Sequence, residues 1–191
     1  MSNACDNTKP SAVLRAEHQV ILKVLGVLKS LMQRFDRGEG FEGQALGECV
    51  EFFKFFADAC HHAKEEDLLF PLLEERGIPR DGGPIGCMLE EHRQARAFTQ
   101  QMADALNALA EGDRSGEPRF REAARSYWEL LENHIFKEDN VLFTMGDQVM
   151  CDADQDALCG KFCEAMCGSF GGKKNTELEA MAEALHARWA S

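Results

Sequence analysis

Strand-forming residues are scarce in this 191-residue chain. β-Branched side chains are few and apolar/polar alternation never lasts beyond a few positions, which excludes a sheet-built fold. A basic excess is also missing. The 33 Asp and Glu against 21 Lys and Arg give a formal charge of −12, the wrong sign for following a phosphate backbone or an anionic leaflet, so no nucleic acid and no membrane surface is expected as a partner. No stretch approaches the roughly 20 consecutive apolar residues of a membrane helix, and Met1 to Ser11 is polar, without the apolar core of a signal peptide. A cytoplasmic protein is expected. Read in that light, the eight cysteines point to reduced thiols rather than a disulfide scaffold.

Helical periodicity, by contrast, is nearly everywhere. Val13, Leu14, Val20, Ile21, Val24, Leu25, Leu28, Leu31, Met32 and Phe35 recur at helical spacing until Gly38-Glu39-Gly40, which predicts a helix over 11–37. A second, over 41–76, carries Leu46, Val50, Phe52, Phe53, Phe55, Phe56, Leu68, Leu69, Phe70 and Leu72, and stops before the turn string from Gly77 to Pro84. A third covers 84–111. A fourth covers 117–146, with Pro118 near its first position. Short connections make neighbours antiparallel, so the expected fold is all-α, an up-down-up-down four-helix bundle over 11–146. Residues 147–191 read as a cysteine-containing helical extension, with a helix near 153–167, a loop over 168–174 and a last helix from Thr176, where Glu179 completes a capping box.

The bundle contains a repeat. Laying Lys64-Glu65-Glu66-Asp67-Leu68-Leu69-Phe70 over Lys137-Glu138-Asp139-Asn140-Val141-Leu142-Phe143 pairs His61 with His134, and Glu17-His18 lies upstream just as Glu91-His92 does. The separations from His18 to His61 and from His92 to His134 are 43 and 42 residues. Each helix thus carries one histidine at a matching height, and the four imidazoles converge on one layer near the end of the bundle opposite the 37–41 and 112–117 connections. His61 and Glu65, like His134 and Glu138, are four apart and share a helix face. Four imidazoles and two carboxylates suit a pair of ions, each taking two nitrogens while the carboxylates bridge. That sulfur-free donor set favours iron, with manganese or zinc as substitutes, and leaves room for a bridging oxygen and an exogenous ligand.

The ordered set His18, His61-x3-Glu65 with Asp67-Leu68-Leu69-Phe70-Pro71, His92, and His134-x3-Glu138 with Val141-Leu142-Phe143 resembles the hemerythrin-like, or HHE cation-binding, family over about 11–146. The resemblance implies a non-haem di-iron centre with a bridging oxo or hydroxo group, His18, His61, His92 and His134 as terminal ligands, and Glu65 and Glu138 as bridges. Oxygen-carrying hemerythrins have a fifth histidine four residues after the third-helix ligand, where this chain has Arg96. They also bridge with an Asp five residues after the last histidine; Asp139 stands there, but the repeat aligns Glu138 with Glu65. Four His with two Glu is closer to the family's iron–sulfur-cluster repair proteins, which respond to nitric oxide and oxidants and usually carry an N-terminal cysteine domain not found in this sequence.

The expected ligand is therefore oxygen, nitric oxide or hydrogen peroxide, reduced with electrons from an unidentified donor, bound reversibly, or sensed; iron storage or delivery is the remaining reading. Beside the site, His62, Tyr127, Arg96 and Asp139 are candidates for supporting roles. His62 lies about 100° round the helix from His61 and reads as a partly exposed or supporting residue. Tyr127, the only tyrosine, shares a face with His134 and reads first as core. Arg96 reads first as a solvated residue able to lend charge to a bound anion. Cys60 and Cys87 flank the site in sequence, and His186 reads as surface. Cys159, Cys163 and Cys167 line one face of the extension helix, as packing residues or as a redox stripe; spread over about 12 Å, they are too far apart for one iron–sulfur cluster.

Overall fold

The computed structural model describes residues 9–166 and 168–189. Four helical rods and two further helices account for most of them. α1 is Pro10–Asp36, opened by a proline whose fixed φ suits the first helical position. α2 runs over 43–75 as one rod that begins as Gly43–Phe52, widens to π-helix at Phe53–His62 and again at Glu65–Leu69, and closes as Phe70–Glu75. α3 is Pro84–Ala110. α4 covers 116–149, with the segments Gly116–Lys137 and Phe143–Val149 separated by one π-helical stretch, Glu138–Leu142. The all-α bundle expected from periodicity is the fold observed.

Two apolar clusters hold the bundle. The larger gathers Ile21 to Met32 of α1, Ala45 to Ala57 of α2, Ala95, Met102 and Ala105 of α3, and Phe120 to Ile135 of α4. The smaller gathers Leu14, Leu69, Phe70, Leu73, Ile85, Met88, Leu142 and Phe143. Between the two clusters every rod buries polar side chains: His18 on α1, His61, His62, Lys64 and Glu65 on α2, His92 on α3, and His134 and Glu138 on α4. The histidine layer therefore lies between two hydrophobic cores rather than at an open end. Burial of each large side chain on either side contributes about 1.5–3 kcal/mol, and that packing keeps the polar layer in place.

The extension folds back onto both cores. α5, Asp152–Met166, buries Leu158 and Phe162 in the smaller one, and the Arg76 guanidinium at the end of α2 donates to both Asp154 oxygens at 2.8 and 2.5 Å. Its bounds match the expected helix to within a residue. The expected 168–174 loop contains a short hairpin, β1 Ser169–Phe170 paired antiparallel with β2 Lys173–Lys174. Gly171 and Gly172 turn it with φ of +59° and +83°, a conformation that other residues adopt only under strain. α6, Asn175–Trp189, buries Leu178, Ala182 and Leu185 in the larger core. Its start differs from the expected capping box: Glu177 accepts from the Lys174 N–H, and Glu179 accepts from the Asn175 side-chain amide.

Candidate metal centre

The polar layer is built by facing helix pairs. Glu65 and Glu138 are completely buried, as are His18 and His92, and His61 and His134 are nearly so. Their Nε2 and carboxylate atoms converge: His18 Nε2 lies 3.2 Å from Glu138, His134 Nε2 3.3 Å from Glu138, His61 Nε2 3.5 Å from Glu65 and His92 Nε2 3.4 Å from Glu65. Glu65 turns one oxygen to His61 on its own rod and the other to His92 on α3. His18, His61, Glu65 and Glu138 form one group able to hold a cation. His62, Glu65, His92 and His134 form a second, and Glu65 belongs to both.

The opposite edge of each imidazole is held by a carboxylate. His18 Nδ1 lies 2.8 Å from Asp139, His61 Nδ1 2.9 Å from Glu17, His92 Nδ1 2.7 Å from Glu66 and His134 Nδ1 3.0 Å from Glu91. This sets Nδ1 as the N–H that donates and leaves Nε2 as the lone pair facing inward, the orientation in which histidines bind metals. The repeat governs these partners too. Glu17, beside His18, holds His61 and pairs with Lys64; Glu91, beside His92, holds His134 and pairs with Lys137. Glu66 and Asp139, each following a central glutamate, hold the histidine of the neighbouring pair.

Within the layer the charges conflict. Burial, and then the neighbouring Glu138 and Glu17 carboxylates, hold the Glu65 carboxyl well above the usual range. Burial pushes Glu138 the same way, but His134 and His18 overcome it and keep that carboxyl below its ordinary value. Burial and surrounding imidazoles hold His61 and His92 well below the ordinary histidine value. All four oxygens of Glu65 and Glu138, with His18 Nε2 and His61 Nε2, are buried without a hydrogen-bond partner. Orphaned buried carboxylate oxygens are costly, and multivalent cations between them and the inward lone pairs remove the cost. The donor set fits a metal pair of nitrogen and oxygen preference.

The sequence model of the hemerythrin HHE cation-binding domain matches residues 9–146. The chain belongs to the hemerythrin HHE family. Similar chains include uncharacterised proteins of Mycobacterium bovis and Mycobacterium tuberculosis, 26% identical over 143 residues. That alignment takes in 75% of this chain and 55% of each relative, so the chain spans about half the length of the curated relatives it matches. No solved structure matches this hemerythrin-like chain significantly.

His62 and Arg96 stand elsewhere than expected. His62 is not partly exposed; it is 2% exposed, with its ring stacked on His92 at 3.9 Å between centroids. The wider winding of the π-helix takes a smaller angular step per residue than an α-helix, which swings His62 toward the side that His61 occupies. Arg96 is not simply solvated: it bonds Asp58 at 2.6 Å and Glu66 at 2.7 Å. Tyr127 is buried against Phe53, with ring centroids 4.7 Å apart. Asp139, shared with Arg15, holds His18. His186 lies exposed on α6.

Of the cysteines, Cys60 is buried with its thiol toward Asn175 Oδ1 at 3.5 Å, and burial pushes its pKa up to about 11. Cys87 is exposed beside Glu91 and Lys137. Cys159 is buried against the bundle, and Cys167 lies outside the described residues. Cys163 is disulfide-bonded, a departure from the expectation of reduced thiols. Its sulfur in that state has no thiol proton and cannot reduce an oxidant directly. Among the described residues no helix is long and apolar enough to cross a membrane.

Sequence reasoning missed Glu17, Glu66 and Glu91 as histidine partners, although for Glu17 and Glu91 the repeated Glu-His pairs carried the signal. Lys64, 1% exposed, was missed as well. Nothing in a single sequence separates it from a surface lysine.

Proposed function

We propose that the chain holds a non-haem di-iron centre that binds and reduces, or senses, a small oxidant: oxygen, nitric oxide or hydrogen peroxide. The observation that carries this reading is the pair of four-donor groups sharing Glu65, with every oxygen of Glu65 and Glu138 unsatisfied. His18, His61, His92 and His134 would hold the ions at the ends and Glu65 and Glu138 would lie between them, with room for an oxo or hydroxo bridge. Iron in that position supplies one-electron chemistry toward such a ligand.

The chain's own residues supply orientation, charge and access. The carboxylates of Asp139, Glu17, Glu66 and Glu91 accept the Nδ1 protons, which fixes the rings and raises the basicity of Nε2. The two central carboxylates offset the positive charge of the ions, and the flanking apolar cores limit water around them. A cavity of about 320 Å³ reaches from His62, past Asp58, Arg96 and Thr99, to the exposed Lys54 and Gln100, and brings a small solute to within one side chain of the layer.

Metal analysis of the purified protein should give two irons per chain, and the Glu65→Ala, Glu138→Ala double variant should hold none; full occupancy in that variant would overturn the ligand set. Anaerobic titration of the reduced protein with oxygen, nitric oxide and peroxide in turn then sorts the chemistry. Turnover identifies a reductase, a stable coloured adduct identifies a carrier or sensor, and rapid loss of iron to a mild chelator identifies storage or delivery.

A further inference from the structure

We propose that His62 is a fifth imidazole ligand of the centre, delivered by the π-helical segment of α2 and serving the ion bound by His92 and His134. This rests on the di-iron reading above and deepens it. One ring nitrogen of His62 lies within 4.8 Å of donor atoms of Glu65, His92 and His134. The ring also meets His134 edge-on, at 5.7 Å between centroids. Its Nδ1 faces Asp58 at 3.5 Å, so His62 repeats, more loosely, the carboxylate-to-Nδ1 arrangement of the other four histidines. Nε2 is then the atom left for the centre.

The two halves of the repeat differ at this place. His62 corresponds to Ile135, Asp58 to Leu131 and Arg96 to Leu22. In one half these positions are apolar, and Leu131 and Ile135 belong to the larger core. In the other they form a polar chain, His62 to Asp58 to Arg96 to Glu66, which ends on the carboxylate that holds His92. Putting an imidazole where its counterpart is isoleucine is unfavourable unless the ring finds a partner, yet His62 Nδ1 makes no well-formed hydrogen bond. A cation at Nε2 would make the Nδ1 proton a stronger donor, and Asp58, 3.5 Å away, is placed to accept it. The ten-residue π-helix Phe53–His62 has no equivalent in α4, where the aligned residues are regular α-helix. Such segments mark functional sites, and this one brings His62 to the layer.

The two ions are consequently unequal, one with three imidazoles and the other with the two of His18 and His61. Arg96, which occupies the position of the missing fifth histidine, supports its replacement through Asp58. His62, which lines the cavity, stands between it and the His92 and His134 side of the layer.

The experiment counts ligands in the intact wild-type protein loaded with ferrous iron. Each ligating imidazole contributes one exchangeable, paramagnetically shifted Nδ1–H proton resonance; five are expected and four overturn the proposal. In His62→Gln one resonance should vanish, and one of two ions should pass to a chelator at least about tenfold faster. An unchanged spectrum and unchanged release in a folded variant would also overturn it, and if the variant does not fold the wild-type count decides. Wild-type protein with two irons and four resonances defeats only the His62 assignment. Protein that takes up no iron defeats the di-iron reading with it.

Discussion

Glu65 should make the metal-free protein less stable than it need be. Both oxygens are buried without a partner, and the carboxylate faces that of Glu138. Each unsatisfied buried group costs about 1–3 kcal/mol, and a charge costs more. Glu65→Gln keeps the shape, removes the ionisable group whose charged form burial and Glu138 disfavour, and supplies an amide N–H₂ that donates to Glu138. Without metal the variant should therefore be more stable by about 1–3 kcal/mol, a rise of roughly 2–4 °C in Tm for each kcal/mol in a chain of this size. With iron the order should reverse. Wild type gains about 2.7 kcal/mol for each site when free ion is a hundredfold above Kd, while the variant, lacking the shared oxygen pair, gains little. Anaerobic thermal melts with chelator and with ferrous iron read both arms. A metal-free Glu65→Gln protein less stable than wild type would refute the claim that this carboxylate is placed for a cation.

The two halves of the repeat allow an internal comparison. Glu17→Ala strands the buried Lys64 without its partner and should cost about 3–5 kcal/mol in urea unfolding, whereas Glu91→Ala should cost less, about 1–3 kcal/mol, because only the His134 Nδ1 proton is left buried without an acceptor while Lys137 is partly exposed and regains water. Glu66→Leu removes the acceptor for His92 Nδ1 and should weaken the ion held by His92 by about 10–100-fold in chelator competition, with stoichiometry unchanged at saturation. Phe162→Ala empties a fully buried site where α5 meets the smaller core. It should cost about 3–5 kcal/mol, seen in the unfolding midpoint, and should speed iron release.

Much of this architecture was legible because its signals are short-range. Four apolar stripes ended by turn residues define the rods, and His-x3-Glu on two of them places nitrogen and oxygen on one face before any tertiary contact is known. His62 was misjudged because apolar periodicity cannot distinguish a π-helical stretch from an α-helix. That stretch packs against α1, α3 and α6, contacts that no local pattern displays, and it brings one histidine into the layer. Lys64 was unreadable for a different reason: its burial depends on α5, which brings Phe162 to 5.9 Å from the ammonium.

A polar layer between two apolar clusters also divides the molecule into parts that need not melt together. The larger cluster draws on α1 to α4 and α6, while the smaller has the ends of the rods and α5. With cations in place the layer ties these parts together; once they are gone, its buried charges weaken the seam. The smaller part then becomes a separate cooperative unit, exchanging its amide protons through openings that leave the rest intact. How firmly α5 is docked on the smaller cluster therefore bears on how long a cation in the layer would be retained.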